Sequence, residues 1–167
     1  MNEYTSKSSS SAHLWEAAIS TIAKSVKMDR GTFWTEERIV KVSDILVAQI
    51  KVQPSMTKSG IRRDVTSNAI VETANSSRTD STLRRINGGV LLNMRDDSAI
   101  VKVVALEITQ DLWRAIPDRM IGFIAETVSS FLTECLEDSD ERVVDNAKKL
   151  LKQIEEETGE SLESYLI

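Results

Sequence analysis

The sequence predicts an all-α chain of about seven helices, stacked as antiparallel pairs. Three observations carry this reading. The composition is 41% hydrophobic but only 5% aromatic, and 6 Gly and 2 Pro supply too little punctuation for the frequent turns of an all-β chain. Apolar residues recur at helical spacing along most of the length. Finally, the last third of the chain matches itself at an offset of 42 residues.

Residues 1–10 are mostly Ser, Asn, Lys and Thr, with little to bury, so they read as a disordered leader or a remnant of a longer chain. A single domain is expected over 11–167, since 167 residues can enclose one core but not two ordinary ones. In the first helix Leu14, Ala18, Ile22 and Val26 recur at steps of four, flanked by Trp15, Ile19 and Ala23, and the pattern ends before Gly31. Thr35 is placed to cap the second helix, and Glu36 and Glu37 complement the positive end of its dipole. Its expected buried face is Ile39, Val42, Leu46 and Ile50, and Pro54 is expected to stop it.

A third helix over 60–74 rests on Ile61, Val65, Ala69 and Ile70, and the polar run 75–81 reads as a connection. Leu83, Ile86, Val90, Leu91 and Met94 give a fourth helix, in which Gly88-Gly89 either weakens the turn or admits a close neighbour. Three further helices follow. They run from Asp97 or Ser98 to Ala115, from Pro117 or Asp118 to Leu136, and from Ser139 to about Thr158. Pro117 sits in a first turn, where proline is tolerated, and Gly159 is expected as a left-handed cap.

The offset of 42 aligns Asp96 with Asp138, Val101 with Val143, Ala105 with Ala147, Ile108 with Leu150 and Leu112 with Ile154. Each copy is an acidic turn, then Val-x-x-x-Ala, then apolar residues three and seven positions beyond the Ala, whose small side chain allows close helix approach. Paired helices at a period near 40 residues belong to HEAT-type α-solenoids, where no hairpin can bury its own face.

Cys135 is the sole cysteine and His13 the sole histidine, so neither an intrachain disulfide nor a Cys/His zinc site can be assembled. No apolar run exceeds four residues, far short of a membrane span, and no Gly-rich phosphate loop follows Gly88-Gly89. Glu155-Glu156-Glu157 and Asp138-Ser139-Asp140-Glu141 read as solvated helix ends, since consecutive residues on a helix point in different directions. No enzymatic constellation, cofactor or small-molecule substrate is expected.

The formal charge is −5, yet residues 51–95 hold eight basic against three acidic residues, while 134–163 hold eleven acidic against four basic. Lys58, Arg62, Arg63, Arg78, Arg84 and Arg85 are therefore candidate contacts to RNA phosphates or to an acidic partner. Aromatic residues are absent from that stretch, which argues against reading of single-stranded RNA by stacking. Trp34, in a turn before a helix, and Tyr165, in the apolar closing set with Leu162, Leu166 and Ile167, are candidate partner anchors. Trp15 and Trp113 flank apolar stripes and read as core.

Three segments carry a family resemblance. They are Gly31-Thr32-Phe33-Trp34-Thr35-Glu36-Glu37-Arg38, the run Val90 to Ser98 with Val101-Lys102, and the closing Leu136-Glu137-Asp138 through Gly159-Glu160-Ser161-Leu162-Glu163-Ser164-Tyr165-Leu166. From about residue 14 onward the chain resembles the C-terminal region of the giant HEAT-repeat subunit of the small-subunit processome, most specifically in its final 75 residues. That resemblance implies a non-catalytic scaffold in the nucleolus that supports processome assembly, pre-rRNA processing and rRNA transcription. The implied partners are other processome proteins, with pre-rRNA or small nucleolar RNA left open as a direct contact. A HEAT adaptor of transport or phosphatase complexes is the alternative outside this family.

Overall fold

The computed structural model describes residues 3–29, 31–57 and 64–166, and these contain helices and turns but no strand. The expected all-α class is therefore observed. By its internal contacts the chain divides into two compact units, Met1–Ile86 and Asn87–Ile167.

The first unit contains α1 (Glu3–Met28), α2 (Glu36–Thr57) and α3 (Val65–Ser76), with the start of α4 (Asp80–Leu92). Helix α1 begins at Glu3, eight residues before the start expected at Ser11. Its buried face is Ala12, Ile19, Ala23 and Val26, whereas Leu14 is 70% exposed and Ala18 is also on the surface. The stripe read from Leu14 is thus rotated from the observed one, because two adjacent rows of α1 satisfy the same period. The row that faces α3 is the one that is covered.

Helix α2 buries Ile39, Val42, Leu46 and Ile50 as expected. Pro54 does not stop it but lies inside its last turns. Near the C-terminal end, proline removes one donor without a long helical segment beyond it to be lost. Helix α3 packs on both α1 and α2 through Val65, Ala69, Ile70 and Ala74. The expected start of the third helix, 60–63, lies outside the described residues. The polar connection shrinks to 77–79, because α3 extends to Ser76 and α4 starts at Asp80.

The second unit begins within α4, whose Val90 and Leu91 are fully buried, and passes through a 3-10 turn, Asn93–Arg95, into α5 (Ala99–Ala115). The next helix, α6, covers 117–136, but it is not the continuous α-helix the sequence suggested. Pro117–Met120 is followed by a 3-10 turn Ile121–Phe123, a short α segment Ile124–Thr127, a π segment Val128–Leu132 and a last α turn Thr133–Leu136. Gly122 and the Ser129-Ser130 pair sit in the irregular stretches, where the backbone ladder is easiest to divert.

Helix α7 (Glu141–Thr158) is capped by Asp140, whose side chain accepts from Arg142 N, and ends on Gly159 at φ 70°. It packs against α5, and every aligned apolar position of the 42-residue repeat is buried: Val101 and Val143, Ala105 and Ala147, Ile108 and Leu150, Leu112 and Ile154. The acidic turns repeat in geometry too. Asp96 Oδ1 accepts from Ser98 N at 2.9 Å, and Asp138 Oδ1 accepts from Asp140 N at 2.9 Å.

Candidate interaction surface

Of the six candidate cations, Lys58, Arg62 and Arg63 lie outside the described residues, and Arg78 lies in the connection before α4. Arg84 is exposed at the start of α4. Arg85 is exposed as well, but its Nε and Nη2 clasp the two carboxylate oxygens of Asp44 at 2.9 and 2.8 Å. That bond raises the Arg85 pKa and lowers that of Asp44. A guanidinium committed to a fork-to-fork pair has fewer donors left for phosphate.

Tyr165 is half-buried in a 3-10 turn, Glu163–Tyr165, and its carbonyl accepts from Ser129 Oγ at 2.8 Å. Leu162 beside it is fully buried, and Leu162 N donates to Glu155 Oε1 at 3.0 Å. Residues 162–165 are therefore folded back onto α6 and α7 of their own unit, and Ile167 lies outside the described residues.

Trp34 lies in a built turn. After α1, Asp29 turns its carboxylate back on the chain: Oδ2 accepts from Gly31 N and Trp34 N, both at 2.9 Å, and Oδ1 from Thr32 Oγ1 at 2.9 Å and Phe33 N at 3.1 Å. Donation by Trp34 N is the largest of the effects that lower the Asp29 pKa to about 2. Gly31 adopts φ 84°, and Arg78 lies where its side chain would be: a Cβ there would fall 1.6 Å from Arg78 Nη2. The positive φ favours glycine, and a side chain there would also displace the Arg78 guanidinium from its place.

Three aromatic and cationic groups ride on this turn. Phe33 and Trp34 meet edge to face with centroids 5.2 Å apart, and Trp34 Nε1 donates to Ser25 Oγ at 2.9 Å. Arg38 lies over the Phe33 ring, its Cζ 4.3 Å from the centroid, and Nη1 donates to Phe33 O at 2.6 Å. From the connection before α4, Arg78 reaches Gly31 O only at 3.4 Å. Glu36 holds that connection in place by accepting from Arg78 N at 3.0 Å and from Thr79 N at 3.2 Å. Val26, Asp29, Gly31, Trp34, Ser76 and Arg78 line a half-open hollow of about 210 Å³, below the range of a small-molecule site and suited to one side chain.

The sequence pointed to Trp34 but not to Asp29, Phe33 or Arg38. The spacing of Asp29, Gly31 and Trp34 was the available signal, an Asx-type turn with a glycine at its positive-φ position.

In the second unit the prominent charges are internally matched. Arg95 stacks over Phe131, with Cζ 4.3 Å from the centroid, and its Nε and Nη2 donate to Glu134 at 2.8 and 2.6 Å. Lys102 Nζ donates to Asp138 Oδ2 at 2.6 Å with both side chains largely covered.

For chemistry the groups are poorly placed. Burial pushes the Cys135 thiol up to about 11, so it stays protonated at neutral pH. His13 is exposed, 3.9 Å from Glu16. Among the described residues no cluster of His, Cys, Asp and Glu could hold a metal, and no helix is long and apolar enough to cross a membrane. What the surface offers is shape, aromatic area and fixed charge.

The family model described as non-SMC mitotic condensation complex subunit 1 matches residues 64–167. The chain is similar to U3 small nucleolar RNA-associated protein 10 of Mycosarcoma maydis, 27% identical over 164 residues, covering 92% of this chain and 7% of the relative. The protein of the same name from Pyricularia oryzae is 27% identical over 154 residues, covering 92% of this chain and 8% of the relative. That from Schizosaccharomyces pombe is 26% identical over 150 residues, covering 88% and 9%. The chain thus spans less than a tenth of the length of each of these three relatives. No solved structure matches. The resemblance carried by the quoted segments, and the HEAT-type fold class, are both borne out.

Proposed function

We propose, from the premise that this chain belongs to the family of the non-SMC mitotic condensation complex subunit 1, that it is a non-catalytic protein-binding scaffold of ribosome biogenesis. It acts within a larger nucleolar protein, in assembly of the small-subunit processome, and through it in pre-rRNA processing and rRNA transcription. The observation that carries this reading is similarity over about nine tenths of the chain to proteins named for association with the U3 small nucleolar RNA. The physical reading agrees with it. Packed helices of the HEAT type bind partners through the shape and charge of their surfaces. Direct RNA contact through the basic middle segment draws less support, because Arg85 is already paired with Asp44.

The test is affinity purification of the tagged chain from nucleolar extract, with and without nuclease. Recovery of small-subunit processome proteins that resists nuclease supports the scaffold. Recovery that nuclease abolishes transfers the role to an RNA contact, and recovery of transport or phosphatase subunits alone overturns the assignment.

A further inference from the structure

We propose that the α1–α2 turn is a docking point for a partner protein segment that presents a carboxylate beside an apolar side chain. The carboxylate enters the hollow between Trp34 and Arg78, and the apolar side chain packs on Phe33 and Met28. This deepens the scaffold reading and rests on it for the partner's being a protein.

Exposed apolar area comes first. Phe33 is 56% and Met28 80% exposed, at the end of α1 and in the turn that follows. Scattered single apolar residues are ordinary on a surface, but Phe33 meets the half-buried Trp34 edge to face and carries Arg38 over its ring. Trp, aromatic residues and Arg are the side chains that dominate interface hot spots.

The second observation is unspent hydrogen-bonding capacity. Neither Arg38 nor Arg78 has a carboxylate within ion-pair distance among the described residues. Arg38 uses one nitrogen on Phe33 O, and Arg78 makes a single long contact to Gly31 O. Asp29, the carboxylate of this turn, is already occupied by four donors from its own loop. A guanidinium offers five donors in a planar fork, and a carboxylate is the side chain that fills the fork.

Local charge decides the class of partner. Residues 29–41 hold three cations and three carboxylates, and Arg78 brings the local sum to +1. Binding of a nucleic-acid backbone draws its affinity from clustered cations that release counterions, and a local sum of +1 supplies little of that. A protein segment with one acidic and one apolar residue needs only the local fork and the local ring. The turn is also rigid before the partner arrives: Asp29 fixes 31–34, Phe33 and its carbonyl hold Arg38, and Glu36 holds the backbone of Arg78. Preorganised side chains lose little freedom on binding.

The test is selection of a phage-displayed random peptide library on the immobilised full chain, followed by fluorescence anisotropy on the winning synthetic peptides. The expected winners carry Asp or Glu within a few residues of an aliphatic or aromatic side chain. Their affinity should fall at least about tenfold with Arg78→Gln and with Phe33→Ala, the size expected of hot-spot residues. Lys148→Gln, at an exposed cation of α7, should bind like the parent chain. Circular dichroism of each variant shows that the fold is kept.

No selection above background, winners without an acidic residue, or binding indifferent to Arg78→Gln would each overturn the proposal. So would competition by a labelled oligouridine RNA with a steep salt dependence, which would assign the turn to nucleic acid. Failure here with intact nuclease-resistant co-purification rejects this docking point and leaves the scaffold standing. Failure of the co-purification alone rejects the processome reading instead.

Discussion

Removing the Lys102–Asp138 contact should uncouple the turn before α7 from α5. The Nζ–Oδ2 distance is 2.6 Å, and the side chains are 21% and 11% exposed, so solvent screens this pair less than an ordinary surface bridge. The hydrogen bond from Lys102 is the largest effect lowering the Asp138 pKa, and the bond to Asp138 is the largest effect raising that of Lys102. Lys102→Met keeps the aliphatic stem and deletes the charge, leaving Asp138 with the Asp140 N–H on its other oxygen. A hydrogen bond between charged partners contributes about 1.5–3 kcal/mol, so a loss of about 2 kcal/mol is expected, or about 4–8 °C in Tm for a chain of this size. A cycle with Asp138→Asn, read by urea unfolding, should return a coupling of about 1–2 kcal/mol. The sign with pH follows from the shifts. The Asp138 contribution is full above the ordinary 3.8 and is lost as pH falls through its depressed value, and the Lys102 contribution is full below 10.5 and is lost as pH rises through its raised value. The stability difference between the parent chain and the Lys102→Met variant should therefore be flat from about pH 5 to pH 10 and shrink on either side. A coupling below about 0.3 kcal/mol, in the range of exposed pairs, would refute the assignment of this contact as a tie between repeats.

Three further outcomes are expected. Gly88→Ala should stabilise by about 0.5–1 kcal/mol in urea unfolding, because the nearest atom to its Cβ is Glu126 Oε1 at 4.0 Å and alanine is the better helix former; destabilisation would mean that the helix there needs a bare backbone. Cys135 should react with Ellman's reagent at pH 8 only as fast as the chain opens, its thiol being buried and pushed up to about 11, and rapid labelling of the native chain would contradict that burial. The Asp29 pKa of about 2 against an ordinary 3.8 means that its contribution is full above pH 4 and is lost as pH falls through about 2. In NMR the Gly31, Phe33 and Trp34 amides should titrate together with that low midpoint, and a midpoint near 4 would show the turn unformed.

How much of this was readable from the residues follows from where each constraint originates. The α5 and α7 faces were legible because the 42-residue offset states them twice, and each copy carries its own acidic turn. The α1 face was not, since Leu14 and Ile19 lie on rows of equal period and only the position of α3 decides between them. The breaks in α6 escaped because Ile121 to Leu136 is helical in pattern, and local signals such as Gly122 and Ser129-Ser130 are weak without the packing around them. Trp34 could be singled out from its place in a turn. Arg78 could be read as one cation of the basic stretch, but its place beside Trp34 could not, because the contact with Gly31 is made across a long stretch of chain.

The same local device serves two ends in this chain, and the difference separates structural charges from available ones. At Asp96 and Asp138 one carboxylate oxygen accepts the N–H two residues on and fixes a helix start. At Asp138 the second oxygen reaches back to Lys102, so the cation is matched inside the repeat. Arg95 is matched likewise by Glu134. At Asp29 both oxygens are occupied within the turn itself, so that carboxylate has nothing left for the guanidinium groups of Arg38 and Arg78 beside it. A turn held this firmly by one acid, with its neighbouring cations and an exposed Phe33 left unmatched, presents binding capacity without needing it for folding. Substitutions at Lys102 should therefore register in stability and those at Arg78 in binding, and a chain in which Arg78→Gln lowered stability as much as Lys102→Met would not obey that division.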